Sequence, residues 1–137
     1  MSARARPDLH DVSKVVVDTS VLFVYFGDEP SALDIEKARA KLLLPFMTFC
    51  ELHYLAARKQ NRAFADRCFG LIKSWNIPIL HSTEEMILSA SRLKDHYRLG
   101  IADAFIAAAS VCERLPLLTY DSDFLPLRQE IKLLGIT

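Results

Sequence analysis

The chain has 137 residues, of which 51% are hydrophobic, and this is the size of one ordinary globular domain with a substantial core. Lysine and arginine total 17, as do aspartate and glutamate, so net charge neither indicates nor excludes a nucleic-acid ligand. The three cysteines, Cys50, Cys68 and Cys112, are odd in number and widely spaced in apolar segments. They fit reduced core thiols better than a disulfide framework or a CxxC metal site, and a reducing cytoplasm is expected.

The first thirteen residues are predicted to be a polar N-terminal extension, because their apolar content is far too low for a signal peptide. Residues 14–137 are predicted to form a single domain. The chain contains no run of about eighteen apolar residues uninterrupted by charge or proline, so no membrane span is expected.

Apolar and β-branched runs predict short strands that alternate with helices along the whole chain. The strands are expected at residues 15–17, 42–44, 77–80, 117–120 and 131–136. The helices are expected at residues 21–26, 31–40, from 48 to about 58, 62–75, 83–97 and 101–115. This alternation is typical of an α/β fold with a mainly parallel sheet and helices on both faces.

Local patterns refine several of these helices. Thr48-Phe49-Cys50-Glu51 and Ser82-Thr83-Glu84-Glu85 both have the form of a capping box, which places helix starts near residues 48 and 83. Residues 62–75 bring Phe64, Cys68, Leu71, Ile72 and Trp75 to one predicted apolar face. The small residues Ala104, Ala107 and Ala108 predict a helix that packs closely on the sheet.

Four acidic residues lie where sites form in parallel sheets. Asp18 and Asp121 directly follow predicted strands, whereas Glu51 and Asp103 are expected in the first turns of helices that start at the same edge. Two carboxylates about 4 Å apart repel by roughly 4 kcal/mol at an intermediate dielectric, so a cluster of them needs a cation. Hard carboxylate ligands favour Mg²⁺ or Mn²⁺, which can activate water for phosphodiester hydrolysis.

Each acid also has a purely structural interpretation. Asp18 could cap the following helix, Asp103 could favour a helix N-terminus through the dipole, and Asp121 and Asp123 could form turns. The capping box that begins at Thr48 explains Glu51 without any chemistry. The functional hypothesis therefore depends on the four acids in combination.

That combination resembles the successive motifs of PIN domains. The segments VVVDTSVLFVYF, FCELHYLAAR, GIADAFIAAAS and LLTYDSDF follow in the family's order and spacing, from Val15 nearly to the end of the chain. The length resembles that of the small single-domain members, the VapC-type toxins of prokaryotic toxin–antitoxin pairs.

The resemblance implies a three-layer α/β/α sandwich and Mg²⁺- or Mn²⁺-dependent endonucleolytic cleavage of RNA. It implies that the metal-site acids are Asp18, Glu51, Asp103 and Asp121, with Asp123 as an additional ligand or water-orienting group. Ser20 and Thr119 would be polar neighbours that steady these ligands. A cognate antitoxin protein and a homodimer are also implied.

Two other functions stay open from the sequence. One is a non-catalytic PIN-like module that binds RNA or protein, although four retained, mutually repelling acids disfavour it. The other is an aspartyl-phosphate phosphatase with Asp18 as nucleophile, although Ser20 stands where a second aspartate is expected. Candidate phosphate contacts, more simply explained as solvated helix faces, are Arg58, Lys59, Arg62, Arg92, Lys94 and Arg98.

Overall fold

The structure, a computed structural model, describes residues 7–27 and 32–136. The strands in these ranges are β1 (Val15–Val17), β2 (Leu42–Pro45), β3 (Ile79–Leu80), β4 (Leu117–Leu118) and β5 (Leu133–Leu134). They form one sheet in the order β3-β2-β1-β4-β5, and every neighbouring pair is parallel. The predicted α/β class and the parallel sheet are therefore confirmed.

Helices connect these strands. The α-helices of the described residues are α1 (Thr19–Phe26), α2 (Ile35–Ala38), α3 (Phe46–Lys59), α4 (Arg62–Ser74), α5 (Glu84–Tyr97) and α6 (Ile101–Glu113). Two 3-10 helices, Arg39–Lys41 and Ser122–Gln129, precede β2 and follow β4.

Helices cover both faces of the sheet, because alternate strand residues point to opposite sides. Val15 and Val17 belong to one buried cluster, together with apolar side chains of α1, α2, α3 and α4. Val16 and Leu117 belong to a second cluster, with α5, α6 and the second 3-10 helix. The result is the three-layer α/β/α arrangement.

Helix α6 packs closely on the sheet, as the small residues predict. Ala104, Ala107 and Ala108 are completely buried, and so is the neighbouring Ala109. Their short side chains let the helix backbone approach β1, so the N-terminal end of α6 is held firmly at the sheet edge. This matters because Asp103 lies in its first turn.

The capping box predicted at Thr48 is wrong. Helix α3 begins at Phe46, with Pro45 as its N-cap, and Thr48 is a fully buried residue inside the helix. Its hydroxyl donates to the carbonyl oxygen of Val17 at 2.9 Å instead of capping the helix. Glu51 consequently lies in the second turn of α3, and capping does not account for it.

The second predicted capping box is shifted by one residue. Helix α5 has Thr83 as its N-cap, and the Thr83 hydroxyl accepts a hydrogen bond from the backbone of Met86. The predicted helix at residues 31–40 is also shorter, because Asp34 caps α2 and the chain tightens into a 3-10 turn after Ala38. Residue 31 lies outside the described residues.

Two predictions about burial are wrong, and one further residue is buried within the segment predicted to be a polar extension. Leu71 is 43% exposed. The buried face of α4 is narrower than the spacing of its apolar residues predicts, and it consists of Ala65, Cys68 and Ile72. Cys50 is exposed rather than part of the core, because it lies on the outer face of α3. Leu9, in the segment expected to be a polar extension, is buried, and Lys41 donates to its carbonyl oxygen.

The order of the strands creates an edge of the sheet at which a functional site can form. From the central strand β1, the chain crosses to β2 on one side, whereas β4 pairs on the other side. Connections that leave in opposite directions open a crevice at the carboxyl ends of β1 and β4. Asp18 lies at the end of β1 and Asp121 lies three residues after β4.

Candidate metal centre

Asp18 is the most deeply buried acid of the candidate site, with 2% of its surface exposed. It is the N-cap of α1 and accepts a hydrogen bond from the backbone of Ser20. The hydroxyls of Ser20 and Thr119 donate to the same carboxylate oxygen, at 2.7 and 2.8 Å. The capping interpretation of Asp18 is therefore correct. The carboxylate oxygen that caps the helix is also held by the two neighbouring hydroxyls.

The Ser20 and Thr119 hydroxyls extend this arrangement toward the second strand end. The Ser20 hydroxyl accepts from the backbone N–H of Tyr120 at 3.0 Å, and the Thr119 hydroxyl accepts from that of Asp121 at 3.0 Å. The two side chains thereby connect the Asp18 carboxylate to the backbone that carries Asp121. They fulfil the steadying contacts that the resemblance implied for them.

Asp121 and Asp123 lie at the start of the 3-10 helix Ser122–Gln129. Asp121 is the N-cap of this helix, and one of its carboxylate oxygens accepts from the backbone N–H of Asp123 at 2.9 Å. The turn-forming interpretation of Asp121 is thus correct as well. Asp123 is exposed, whereas Asp121 is half-buried.

Glu51 and Asp103 complete the group from two further helices. Both carboxylates are half-buried, Glu51 in the second turn of α3 and Asp103 in the first turn of α6. Phe46 and Phe105 contact each other edge to face, with ring centroids 5.5 Å apart, and this packing joins the two helices beside the site.

The fold brings all five predicted acids together. Carboxylate oxygens of Asp18, Glu51 and Asp103 lie within 4.8 Å of one another, and so do those of Asp103, Asp121 and Asp123. Asp103 belongs to both groups and connects them. Residues separated by up to 105 positions in the sequence therefore meet at one edge of the sheet.

Electrostatics at this edge are unfavourable for the protein alone. Within residues 7–27 and 32–136, no basic side chain forms an ion pair with any of the five acids. Burial and, to a smaller extent, the negative charges of Asp18, Glu51, Asp121 and Asp123 together raise the pKa of Asp103 to about 7. Burial also raises the pKa of Asp18, although the Ser20 and Thr119 hydrogen bonds oppose that shift.

These residues fit a hard divalent cation. The donor atoms of this cluster are carboxylate oxygens, which are typical ligands of Mg²⁺ and Mn²⁺. Zinc sites differ, because they typically contain histidine or cysteine ligands. The mutual repulsion that raises the pKa of Asp103 is the repulsion that a bound cation would relieve. The arrangement can hold a cation near a solvent-accessible edge, with Asp123 on its exposed side.

The hydrogen bond from the Thr48 hydroxyl to the Val17 carbonyl is the feature that sequence reasoning missed. The spacing of Thr48 three residues before Glu51 was visible, but that spacing equally describes a capping box. The available signal was Pro45, which suits a helix start and places Thr48 within the helix rather than before it.

The chain belongs to the PIN domain family, because the family model "PIN domain" matches residues 15–128. A search of curated proteins finds no match.

Solved structures of VapBC and toxin–antitoxin proteins share this fold. VapBC2 from Rickettsia felis, bound to a DNA fragment from the promoter, is 14% identical, with a TM-score of 0.70 over 87% of this chain and 96% of that chain. A toxin–antitoxin complex from Klebsiella pneumoniae is 19% identical, with a TM-score of 0.60 over 81% and 90%. VapC20 from Mycobacterium tuberculosis, a sarcin–ricin loop cleaving toxin, is 16% identical, with a TM-score of 0.63 over 82% and 94%.

A separate property concerns membranes. Among the described residues, none of the helices has the length and apolar character needed to cross a bilayer.

Proposed function

We propose that this protein is a Mg²⁺- or Mn²⁺-dependent endoribonuclease and the toxin of a toxin–antitoxin pair. The observation that carries the proposal is the meeting of five carboxylates from four chain segments, without a basic partner among the described residues. Such a cluster is costly to the fold unless a cation occupies it, which favours a metal-dependent function over a purely structural one.

Each of the five acidic residues has a role in the proposed mechanism. A bound divalent ion lowers the pKa of its water and offsets charge on the scissile phosphodiester. Asp18, held by the Ser20 and Thr119 hydroxyls, would be a fixed ligand of that ion. Glu51, Asp103 and Asp121 would complete the ligand set, and exposed Asp123 would orient water or add a further ligand.

The family supports a proposed partner, and the cysteines support a proposed compartment. Structures with the same fold are described as VapBC and toxin–antitoxin complexes, which supports a cognate antitoxin for this chain. The free cysteines support a reducing cytoplasm. A homodimer is also proposed, and the exposed apolar residues Ile87 and Ile101, in one groove between α5 and α6, offer a surface for it.

The test is cleavage of single-stranded and structured RNA by the purified protein with Mg²⁺ or Mn²⁺. Wild type is expected to cut RNA internally, and EDTA is expected to stop the reaction. Asp103→Asn should reduce the rate to the EDTA level, because it removes the carboxylate shared by both metal-binding groups.

Asp95→Asn is the matched control, since Asp95 is an exposed acid on α5 outside both groups. It should cleave like wild type. Cleavage that survives Asp103→Asn unchanged would overturn the proposal, and RNA binding without metal uptake or cleavage would identify a binding module instead.

A further inference from the structure

An exposed aromatic groove lies beside Glu51, between helices α3 and α4. Tyr54 is 52% exposed and Phe69 is 42% exposed, and they line this groove with Phe49, Cys50 and the His53–Asp66 pair. Its volume is about 620 Å³, which is large enough for a nucleobase and its sugar. Exposed aromatic side chains that are grouped in one groove and rimmed by polar residues are typical of a binding surface.

Helix geometry connects this groove to the acidic cluster. An α-helix turns by about 100° and rises about 1.5 Å per residue, so Glu51 and Arg58 lie within about 20° of the same direction and about 10 Å apart. Tyr54 lies between them, turned by about 60° toward the groove. Glu51, Tyr54 and Arg58 therefore form one stripe along the outer face of α3.

Three basic residues lie at the end of the stripe that is farthest from Glu51. Arg58 and Lys59 end α3, and Arg62 begins α4. None of the three forms an ion pair with a carboxylate within the described ranges. Arg58 is held instead by the Tyr54 hydroxyl, to which it donates at 2.7 Å, and Lys59 lies over the Phe23 ring.

We infer that the stripe formed by Tyr54 and Arg58 is a binding subsite for single-stranded RNA, which takes the nucleotides next to the cleaved bond. This inference rests on the proposed ribonuclease function. The face of the Tyr54 ring away from Arg58 stacks on a base, and the Arg58 guanidinium, which lies 5.6 Å from the centroid of that ring, binds a phosphate of the same strand. The His53–Asp66 pair in the groove offers hydrogen-bonding groups to the base edge.

The charges favour RNA over a protein occupant. An aromatic ring next to an arginine that forms no ion pair within the described ranges is an arrangement with which proteins bind single-stranded nucleic acid without strong sequence preference. Arg58, Lys59 and Arg62 place three positive charges at this end of α3, which suits a polyanion. A duplex does not fit the same role, because its bases are already stacked on each other and present no free face.

The test separates binding from cleavage. Fluorescence anisotropy with a labelled single-stranded RNA and its duplex is measured in EDTA on the Asp103→Asn background, while wild-type cleavage is assayed separately with Mn²⁺. Tyr54→Leu should weaken single-strand binding by roughly 5- to 100-fold, as expected for one lost base stack. Tyr54→Phe keeps the ring but loses the hydroxyl that holds Arg58, so it should retain most of the binding that Tyr54→Leu loses.

Salt dependence tests the phosphate contact. Arg58→Gln should reduce the slope of log affinity against log salt by about 0.7, the value for one phosphate of a single strand. Arg39→Gln is the matched control, because Arg39 is an exposed arginine that precedes β2 and so lies at the opposite sheet edge from the acids. It should leave the slope unchanged.

Chemical footprinting gives an independent readout. Cys50 lines the groove and is exposed, whereas Cys68 is buried and Cys112 is half-buried. Single-stranded RNA should slow alkylation of Cys50 in the parent protein and fail to do so in Tyr54→Leu.

Several results would overturn the subsite: no RNA binding by the parent, equal binding of the duplex, or full binding by Tyr54→Leu. A wild-type dimer that becomes monomeric in Tyr54→Leu would also overturn it, because the groove would then be a contact between copies of the chain. Tyr54-dependent binding without any cleavage would leave the subsite standing and reject the ribonuclease. RNA cleavage that is unchanged in Tyr54→Leu and Arg58→Gln would leave the ribonuclease standing and reject the subsite.

Discussion

The hydroxyl of Thr48 donates a hydrogen bond to the carbonyl oxygen of Val17 across 2.9 Å, and both residues are completely buried. Val17 immediately precedes Asp18, and Thr48 lies about one helical turn before Glu51. One contact thus ties the start of α3 to the end of β1. We expect this contact to help position the carboxylates of Asp18 and Glu51 relative to each other.

Replacing Thr48 by valine should therefore affect both stability and metal binding. The lost hydrogen bond is expected to lower the free energy of unfolding by about 1 kcal/mol. We also expect weaker Mn²⁺ binding by isothermal titration, because Glu51 would no longer be held near Asp18. Thr48→Ser keeps the hydroxyl and should restore the Mn²⁺ affinity. If Thr48→Val loses stability but binds Mn²⁺ normally, Thr48 has no positioning role.

Metal affinity should depend on pH through Asp103. Its pKa is raised to about 7, chiefly by burial and also by the neighbouring acids, so a proton competes with the cation below that pH. Apparent Mn²⁺ affinity should rise by up to about 10-fold per pH unit below 7 and level off above it. Asp103→Asn should flatten this dependence as well as weaken binding. An equally steep pH profile in the variant would assign the titration to another group.

Stability of the metal-free protein should change in the opposite sense. Because the folded-state pKa of Asp103 lies above the ordinary value of 3.8 for an aspartate, the folded state binds more protons between these two pH values. Its stabilising contribution is complete below about pH 3.8 and is lost as pH rises through about 7. Urea unfolding in EDTA should show this loss between about pH 4 and pH 7, with little further change above pH 7.

Two comparisons identify the source of that loss. Asp103→Asn has no titrating group at this position, so its stability in EDTA should fall less and should exceed that of wild type at pH 8. Saturating Mn²⁺ should reverse the loss in wild type, by about 2.7 kcal/mol at a hundred times the Kd. An identical pH dependence in wild type and variant would contradict the role given to Asp103.

Gly135 directly follows β5 and lies next to Thr119, which belongs to the site. Its φ is +89°, and an added Cβ would lie 2.7 Å from the carbonyl oxygen of Thr119. Gly135→Ala should cost about 1–3 kcal/mol in unfolding free energy and displace Thr119, which also weakens metal binding. Gly100→Ala is the control, since a Cβ at Gly100 meets no atom within 4 Å. Equal effects of the two substitutions would show that the Thr119 contact is unimportant.

Much of the fold was predictable because it depends on local patterns. Val15–Val17 is a β-branched run that is buried on both faces, which matches a central parallel strand. The small residues of α6 predicted close packing, and Ala104, Ala107 and Ala108 are all fully buried. The ends of elements are predicted less accurately: the pattern at Thr48 predicts a cap where the structure has a helix interior, and a turn is predicted where the 3-10 helix Ser122–Gln129 begins. A [ST]-x-x-[DE] pattern fits both a cap and a helix interior, and only packing distinguishes them.

The sequence by itself determined the alternation of strands and helices and the placement of Asp18 and Asp121 after strands, because these depend on periodicity and on nearby residues. Only the tertiary structure decided that Glu51 is free of a capping role and that Asp103 lies in both carboxylate groups. It also decided that the pKa of Asp103 reaches about 7. Distances between carboxylates from distant segments, and the burial that raises their pKa, are set by how helices pack on the sheet, which no local pattern contains.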